Sequence, residues 1–90
     1  MRFVFDRDKD AISLAKHKVS LALAEVLFSG PRGSVADDRF DYGERRDVAY
    51  GLIAGRLFVC VYADGDEDRR VISLRKANRR EAKRYEQDLK

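Results

Sequence analysis

"VAYGLIAGRLFVCVYA", residues 48–63, decides the fold. Val48 to Ile53 reads as a strand, Ala54-Gly55 as a tight turn, and Leu57 to Ala63 as a second strand. Two such runs joined by a short glycine-bearing turn form a β-hairpin. The second run is apolar at every position, so it belongs in the middle of a sheet with both faces covered. At seven residues it is far too short to span a membrane.

Upstream of the hairpin, Phe3 to Phe5 is a short strand candidate. Asp6 or Asp8 can cap a helix, because a carboxylate oxygen satisfies a free N–H in the first turn. That helix runs to about His17, with Ile12, Ala15, Ala11 and Leu14 as its apolar face. Ser20 is the next N-cap, and a second helix covers Leu21 to Phe28 with Leu23, Ala24, Leu27 and Phe28 turned inward. "SGPRG" (29–33) ends it, since Gly and Pro break helices. Val35 to Asp37 reads as a short edge strand, and "DDRFDYGERRD" (37–47) as polar and turn-like.

Downstream, "DGDED" (64–68) is a turn and Val71 to Leu74 the last strand. Asn78 opens a final helix, where Asn78 and Glu81 have capping-box spacing. Ala82, Tyr85 and Leu89 form its apolar stripe. The expected fold is a single α+β domain over residues 1–90: a small antiparallel sheet with two N-terminal helices and one C-terminal helix.

The charge is unevenly spread. From Arg69 to Lys90 there are nine Lys/Arg against three acids, a local charge of +6, while residues 1–68 carry −3. Such a split points the C-terminal quarter at a polyanion. Glu81 is placed to pair with Arg84, which leaves the other arginines in excess. The one cysteine, Cys60, sits in an apolar run and reads as a small core residue, in keeping with a reducing cytosol. The N-terminus becomes charged after three apolar residues, too early for a secretory signal.

One His and one Cys cannot supply the usual zinc set. "ADGDEDRR" (63–70) lacks the spacing and terminal Glu of a calcium loop. There is no glycine-rich phosphate loop, and Ser73 is not in a nucleophile elbow. What remains is metal-free phosphate chemistry. RNA cleavage needs a proton acceptor for the 2′-hydroxyl, a proton donor for the leaving oxygen, and cations on the transition-state phosphate. Arginine suits the last task because its planar fork binds phosphate oxygens in pairs and stays charged.

Arg70, Arg75, Lys76 and Arg79 straddle the last strand and the last helix. Arg75 ranks first, because a strand end places it and no local partner for its charge is obvious. Arg79 lies in the first helical turn, where a cation costs about 0.3–1 kcal/mol. His17 reads in two ways. As the only side chain with an unperturbed pKa near neutrality it is a candidate base; by its position in the last turn of the first helix it reads first as a C-terminal cap. Of the tyrosines, Tyr50 and Tyr62 read as sheet packing, Tyr42 lies in the polar loop, and Tyr85 sits on the apolar stripe with a hydroxyl able to reach phosphate.

Three ordered stretches, "FVFDRDKDAISLAKHKVSLALAEVLF", "YGERRDVAYGLIAGRLFVCVYA" and "RRVISLRKANRREAKRYE", resemble the BrnT toxins. The resemblance covers nearly the whole chain. It implies a RelE-like fold and a cytosolic endoribonuclease toxin of a type II toxin–antitoxin system that inhibits translation and growth. It implies neutralisation by a ribbon-helix-helix antitoxin of the BrnA type, and contact with operator DNA only through that antitoxin. No metal or organic cofactor is expected.

The family's Lys-His-Gly motif falls on Lys16, His17 and Lys18; its Arg-Ile-Ile-Ser-Ala-Arg-Lys-Ala stretch falls on Arg70 to Ala77. Its Glu-Arg strand entry falls on Glu44 and Arg45, and its late Tyr on Tyr85. The implied catalytic set is Arg75, Lys76, Arg70, His17, Glu44 and Tyr85. Lys16 and Arg45 are implied RNA-binding residues, and the charge of the last helix adds Arg79, Arg80 and Lys83 to them. The chain departs from the pattern at Lys18, where the family has Gly; if that position needs positive φ, a side chain costs about 1 kcal/mol. Phe5 stands for the usual Trp, and Ser20-Leu21-Ala22-Leu23 lacks the capping-box acid. A non-catalytic module that binds nucleic acid or antitoxin is the alternative that charge and fold leave open.

Overall fold

The computed structural model describes residues 1–39 and 41–89; Phe40, inside the stretch read as polar and turn-like, and Lys90 lie outside the described residues. The strands are β1 (Arg2–Val4), β2 (Arg32–Ala36), β3 (Asp47–Ile53), β4 (Arg56–Asp64) and β5 (Asp68–Lys76). The helices are α1 (Arg7–His17), α2 (Ala24–Ser29) and α3 (Arg79–Tyr85), with 3-10 turns at Leu21–Leu23 and Glu86–Leu89.

The strands form one sheet in the order β1-β5-β4-β3-β2. The β3–β4 hairpin is as expected, with Ile53 opposite Arg56 across a two-residue loop. Ala54 and Gly55 both have positive φ, 51° and 77°, which matches the right-handed twist of the flanking strands. β4 is the middle strand. The sheet is mixed, however, and not antiparallel: β1 pairs parallel with β5, Arg2 opposite Asp68 and Val4 opposite Arg70. The long excursion through α1 to β4 returns the chain alongside β1 in the same direction. The Arg2–Asp68 ion pair, 3.1 Å, joins the two strand starts.

Four strands are longer than the sequence suggested, β3 by Asp47 and β4 by Arg56 and Asp64. β2 takes in Arg32 and Gly33 from the glycine-proline segment. β5 starts at Asp68, because Arg69 bonds Asp64 across the hairpin at 2.7 and 2.9 Å and lies over the rings of Phe28 and Tyr62. Charged residues that look like a turn are thereby held in register.

The core lies on one face of the sheet. Leu21, Ala24, Leu27 and Phe28 pack on Phe58, Cys60, Tyr62, Val71 and Leu74. Gly51 lets α2 approach, since a Cβ there would stand 3.0 Å from Leu27. Burial pushes the Cys60 thiol up to about 12.

The apolar face expected for α1 does not hold. Ala11, Ile12, Leu14 and Ala15 are exposed, and Ser13 is the buried residue of the helix. Polar anchors position α1 instead. The Ser13 hydroxyl donates to the Val19 carbonyl at 2.7 Å, and the Asp10 carboxylate accepts from the Ser20 hydroxyl and the Leu21 N–H at 3.0 and 2.7 Å. Leu23, expected inside, is exposed too. Asp6 caps α1 and Ser20 caps the following turn, as read from sequence. No helix among the described residues is long and apolar enough to cross a membrane.

Candidate functional site

The other face of the sheet is only half covered. Tyr50 of β3 stacks on Tyr85 of α3, ring centroids 4.1 Å apart, and its hydroxyl donates to Asp88 at 3.4 Å. That contact fixes the C-terminal segment over one end of the face. Gly33 of β2 makes room for it, because a Cβ there would meet the Tyr50 ring at 2.1 Å.

Beyond this cover a groove of about 300 Å³ stays open. Its floor is Val35, Val48, Val59, Val61 and Ser73. Arg75, Glu81 and Tyr85 form one rim, and Asp37 with Arg39 the other.

Arg75 reaches this face because of a bulge. Arg70 and Arg75 are five residues apart, and on a regular strand an odd separation puts side chains on opposite faces. The β4–β5 register shifts between Val61 and Tyr62, whose partners are Ser73 and Val71, so Ile72 is an inserted residue. Arg70, Ser73 and Arg75 therefore share the groove face with Val59 and Val61.

Arg75 donates Nη1 and Nη2 to Glu81 Oε1 and Oε2 at 2.7 and 2.8 Å. This differs from the sequence reading, which gave Arg75 no partner and assigned Glu81 to Arg84. Glu81 Oε1 also accepts the Asn78 N–H at 3.0 Å, while Asn78 accepts the Glu81 N–H, completing the expected capping box. One carboxylate thus locks both the helix start and the arginine. The Arg75 hydrogen bonds hold the Glu81 carboxyl below the usual range, burial working against them.

On the opposite rim Asp37 is buried, and Arg39 donates Nε and Nη2 to it at 2.8 and 3.1 Å. The Tyr42 hydroxyl donates to the same carboxylate at 3.2 Å. These bonds hold the Asp37 carboxyl low against the cost of burial; Arg39 supplies the largest effect. Arg39 is close enough for its charge to act on Arg75 across the groove.

The residues singled out from sequence do not form one cluster. Arg75 and Tyr85 line the groove. Arg70 sits opposite Ala63 on β4 and Arg75 opposite Val59, which separates them by about 13 Å at the rise of a strand. Arg70 instead pairs with Glu44, which also takes Arg46 at 3.3 Å. Burial raises the Glu44 pKa, but the two arginines outweigh it and hold the carboxyl low. Lys76 pairs with Phe58 and so points to the core face of the sheet. Its carbonyl accepts from Arg75 at 3.3 Å.

Lys16 and His17 end α1 and line a separate cavity with Ile12, Leu21 and Leu74. Arg45 pairs with Asp47 at 3.2 Å. Arg79, Arg80 and Lys83 are exposed along α3, and Arg79 lines a separate cavity with Arg56 and Leu57 of β4, Ala82 and Glu86. Arg39 and Asp37 were missed. Their stretch reads as a polar turn, and its one faint signal is an acid two residues before an arginine.

An α+β fold with an apolar floor between two arginine-bearing rims has the chemistry to accommodate a polyanion that also has apolar parts, as single-stranded nucleic acid does. The chain belongs to the BrnT family, the ribonuclease toxins of type II toxin–antitoxin systems, whose sequence model matches residues 5–81. It is therefore a ribonuclease toxin that pairs with an antitoxin and acts on RNA. No curated protein matches the chain.

Proposed function

We propose that the groove beside α3 is where this toxin cleaves RNA internally, with Arg75 on the scissile phosphate. The observation that carries this is the Ile72 bulge, which turns Arg75 onto the open face beside Tyr85. Glu81 aims the Arg75 fork and restrains its rotamers, so less entropy is lost when phosphate arrives. A fixed cation next to an apolar floor stabilises developing negative charge better than a solvated one. The Tyr85 hydroxyl, on the same rim as Arg75, supplies the proton to the leaving oxygen. Glu81, kept ionised and with both oxygens bonded to Arg75, is a weak base and serves to orient the arginine.

Arg70 with Glu44 lies further along the same face and positions the RNA backbone. Lys16, His17, Arg45, Lys76, Arg79, Arg80 and Lys83 lie outside the groove and act, where they act, by general attraction of phosphate. We further propose that the chemistry is metal-free and that growth stops through loss of translation. The fold is taken as RelE-like, the partner as a ribbon-helix-helix antitoxin, and the compartment as the cytosol.

The test is cleavage of naked RNA in excess chelator by wild type and by Arg75→Ala, both shown to be folded. The expected result is cleavage by the wild type and a loss of 100-fold or more, roughly the effect of one transition-state hydrogen-bond donor, in the variant. Equal cleavage by the two would remove Arg75 from the site.

A further inference from the structure

We propose that Arg39 is a second phosphate ligand of the groove, closing with Arg75 on the same phosphodiester from the opposite rim. The inference rests on the reading that the groove is the RNA site.

Arg39 is held for this purpose and is still available. Its side chain is 66% exposed, whereas that of Asp37 beneath it is 1% exposed. A carboxylate so buried needs its counter-ion, so Asp37 keeps the guanidinium in one orientation. The pair uses Nε and Nη2 of Arg39. That leaves the Nη1 edge turned away from Asp37, free in geometry to donate to an incoming oxygen.

The opposite rim repeats the device. Glu81 takes Nη1 and Nη2 of Arg75, which leaves Nε. Both guanidinium groups therefore line the one groove with its valine floor, and each is held by its own carboxylate, Arg39 by Asp37 and Arg75 by Glu81. Like charges across a groove repel, and an anion between them turns that repulsion into two attractions. A phosphodiester has two free oxygens, one for each arginine. The bases then lie along the valine floor toward Tyr85.

Binding of a 2′-O-methyl RNA oligonucleotide, which cannot be cut, and cleavage of the unmodified RNA test this. Arg39→Ala is expected to weaken binding by about tenfold, the usual worth of a charge-assisted hydrogen bond. It should also reduce the salt slope by about 0.7, the value for one phosphate contact on a single strand. Arg39→Lys should recover part of the affinity. Combined with Arg75→Ala, the loss should be smaller than the product of the single losses, because both act on one phosphate.

Arg39→Ala strands a buried Asp37, so Asp37→Asn with Arg39→Ala is measured beside it as a folded control. Arg56→Ala, at the hairpin turn, should bind as wild type. Wild-type binding and cleavage by both Arg39 variants, with Arg75→Ala impaired, would overturn the inference and leave the groove standing. Losses that simply multiply would put the two arginines on different phosphates and overturn it as well. If neither arginine mattered, the groove itself would fail.

Discussion

Lys18 carries a backbone cost, as one of two non-glycine residues with positive φ among the described residues. It closes α1 in the left-handed conformation, φ 60° and ψ 29°, and its N–H donates to the Leu14 carbonyl at 3.0 Å. Glycine adopts this conformation without a Cβ penalty. Lys18→Gly should stabilise the protein by about 1 kcal/mol, read from the midpoint of urea unfolding; an unchanged or lower midpoint would count against the strain. The departure from the family's glycine was visible in the sequence, and the sign of φ there was not. The capping residues Asp6, Ser20, Asn78 and Glu81 were legible because each acts within three residues of its own position. The Arg75–Glu81 and Arg39–Arg75 relations were not, since they depend on where a turn delivers a side chain.

Among the elements, β2 carries a dependence that burial alone does not reveal. Gly33 lies beneath the Tyr50 ring, which in turn stacks on Tyr85 and bonds Asp88. Burial raises the Tyr50 pKa, and Asp88 adds to it. Gly33→Ala should displace Tyr50, loosen the C-terminal segment and cost about 1–3 kcal/mol. Altered near-ultraviolet dichroism of the tyrosines, with a lower melting temperature, is the expected readout; a wild-type spectrum and melt would show that the ring has other room. The hairpin at 48–63 could be read ahead because its pattern is local. The parallel pairing of β1 and the Ile72 bulge could not, because both depend on strands far apart in sequence. The bulge matters most, since it reverses the side-chain parity of β5 between Arg70 and Arg75. Exposure of α1's apolar residues has a different origin: its seat is made by polar bonds of Ser13 and Asp10 to residues just beyond the helix, which a hydrophobic pattern does not weigh.

Across the whole molecule the fold redistributes charge. The C-terminal quarter looks strongly basic when residues are counted along the chain, yet Arg69, Arg70 and Arg75 are each claimed by an acid, Asp64, Glu44 and Glu81. Basic charge on α3 remains exposed at Arg79, Arg80, Lys83 and Arg84. On the proposed reading α3 supplies long-range attraction, and the groove beside it supplies orientation through paired arginines. Polyanion binding was legible from composition. The proposed seat was not, because β2, β3, β4, β5, α3 and the segment after β2 all contribute to one groove. The most direct measurement is an NMR titration of the labelled toxin with a 2′-O-methyl RNA oligonucleotide. The expected shifts are at Val59, Val61, Ser73 and Arg75, with Lys16 and His17 little changed. Shifts concentrated at Lys16 and His17, with the groove valines unmoved, would contradict the account and move the RNA to the end of α1.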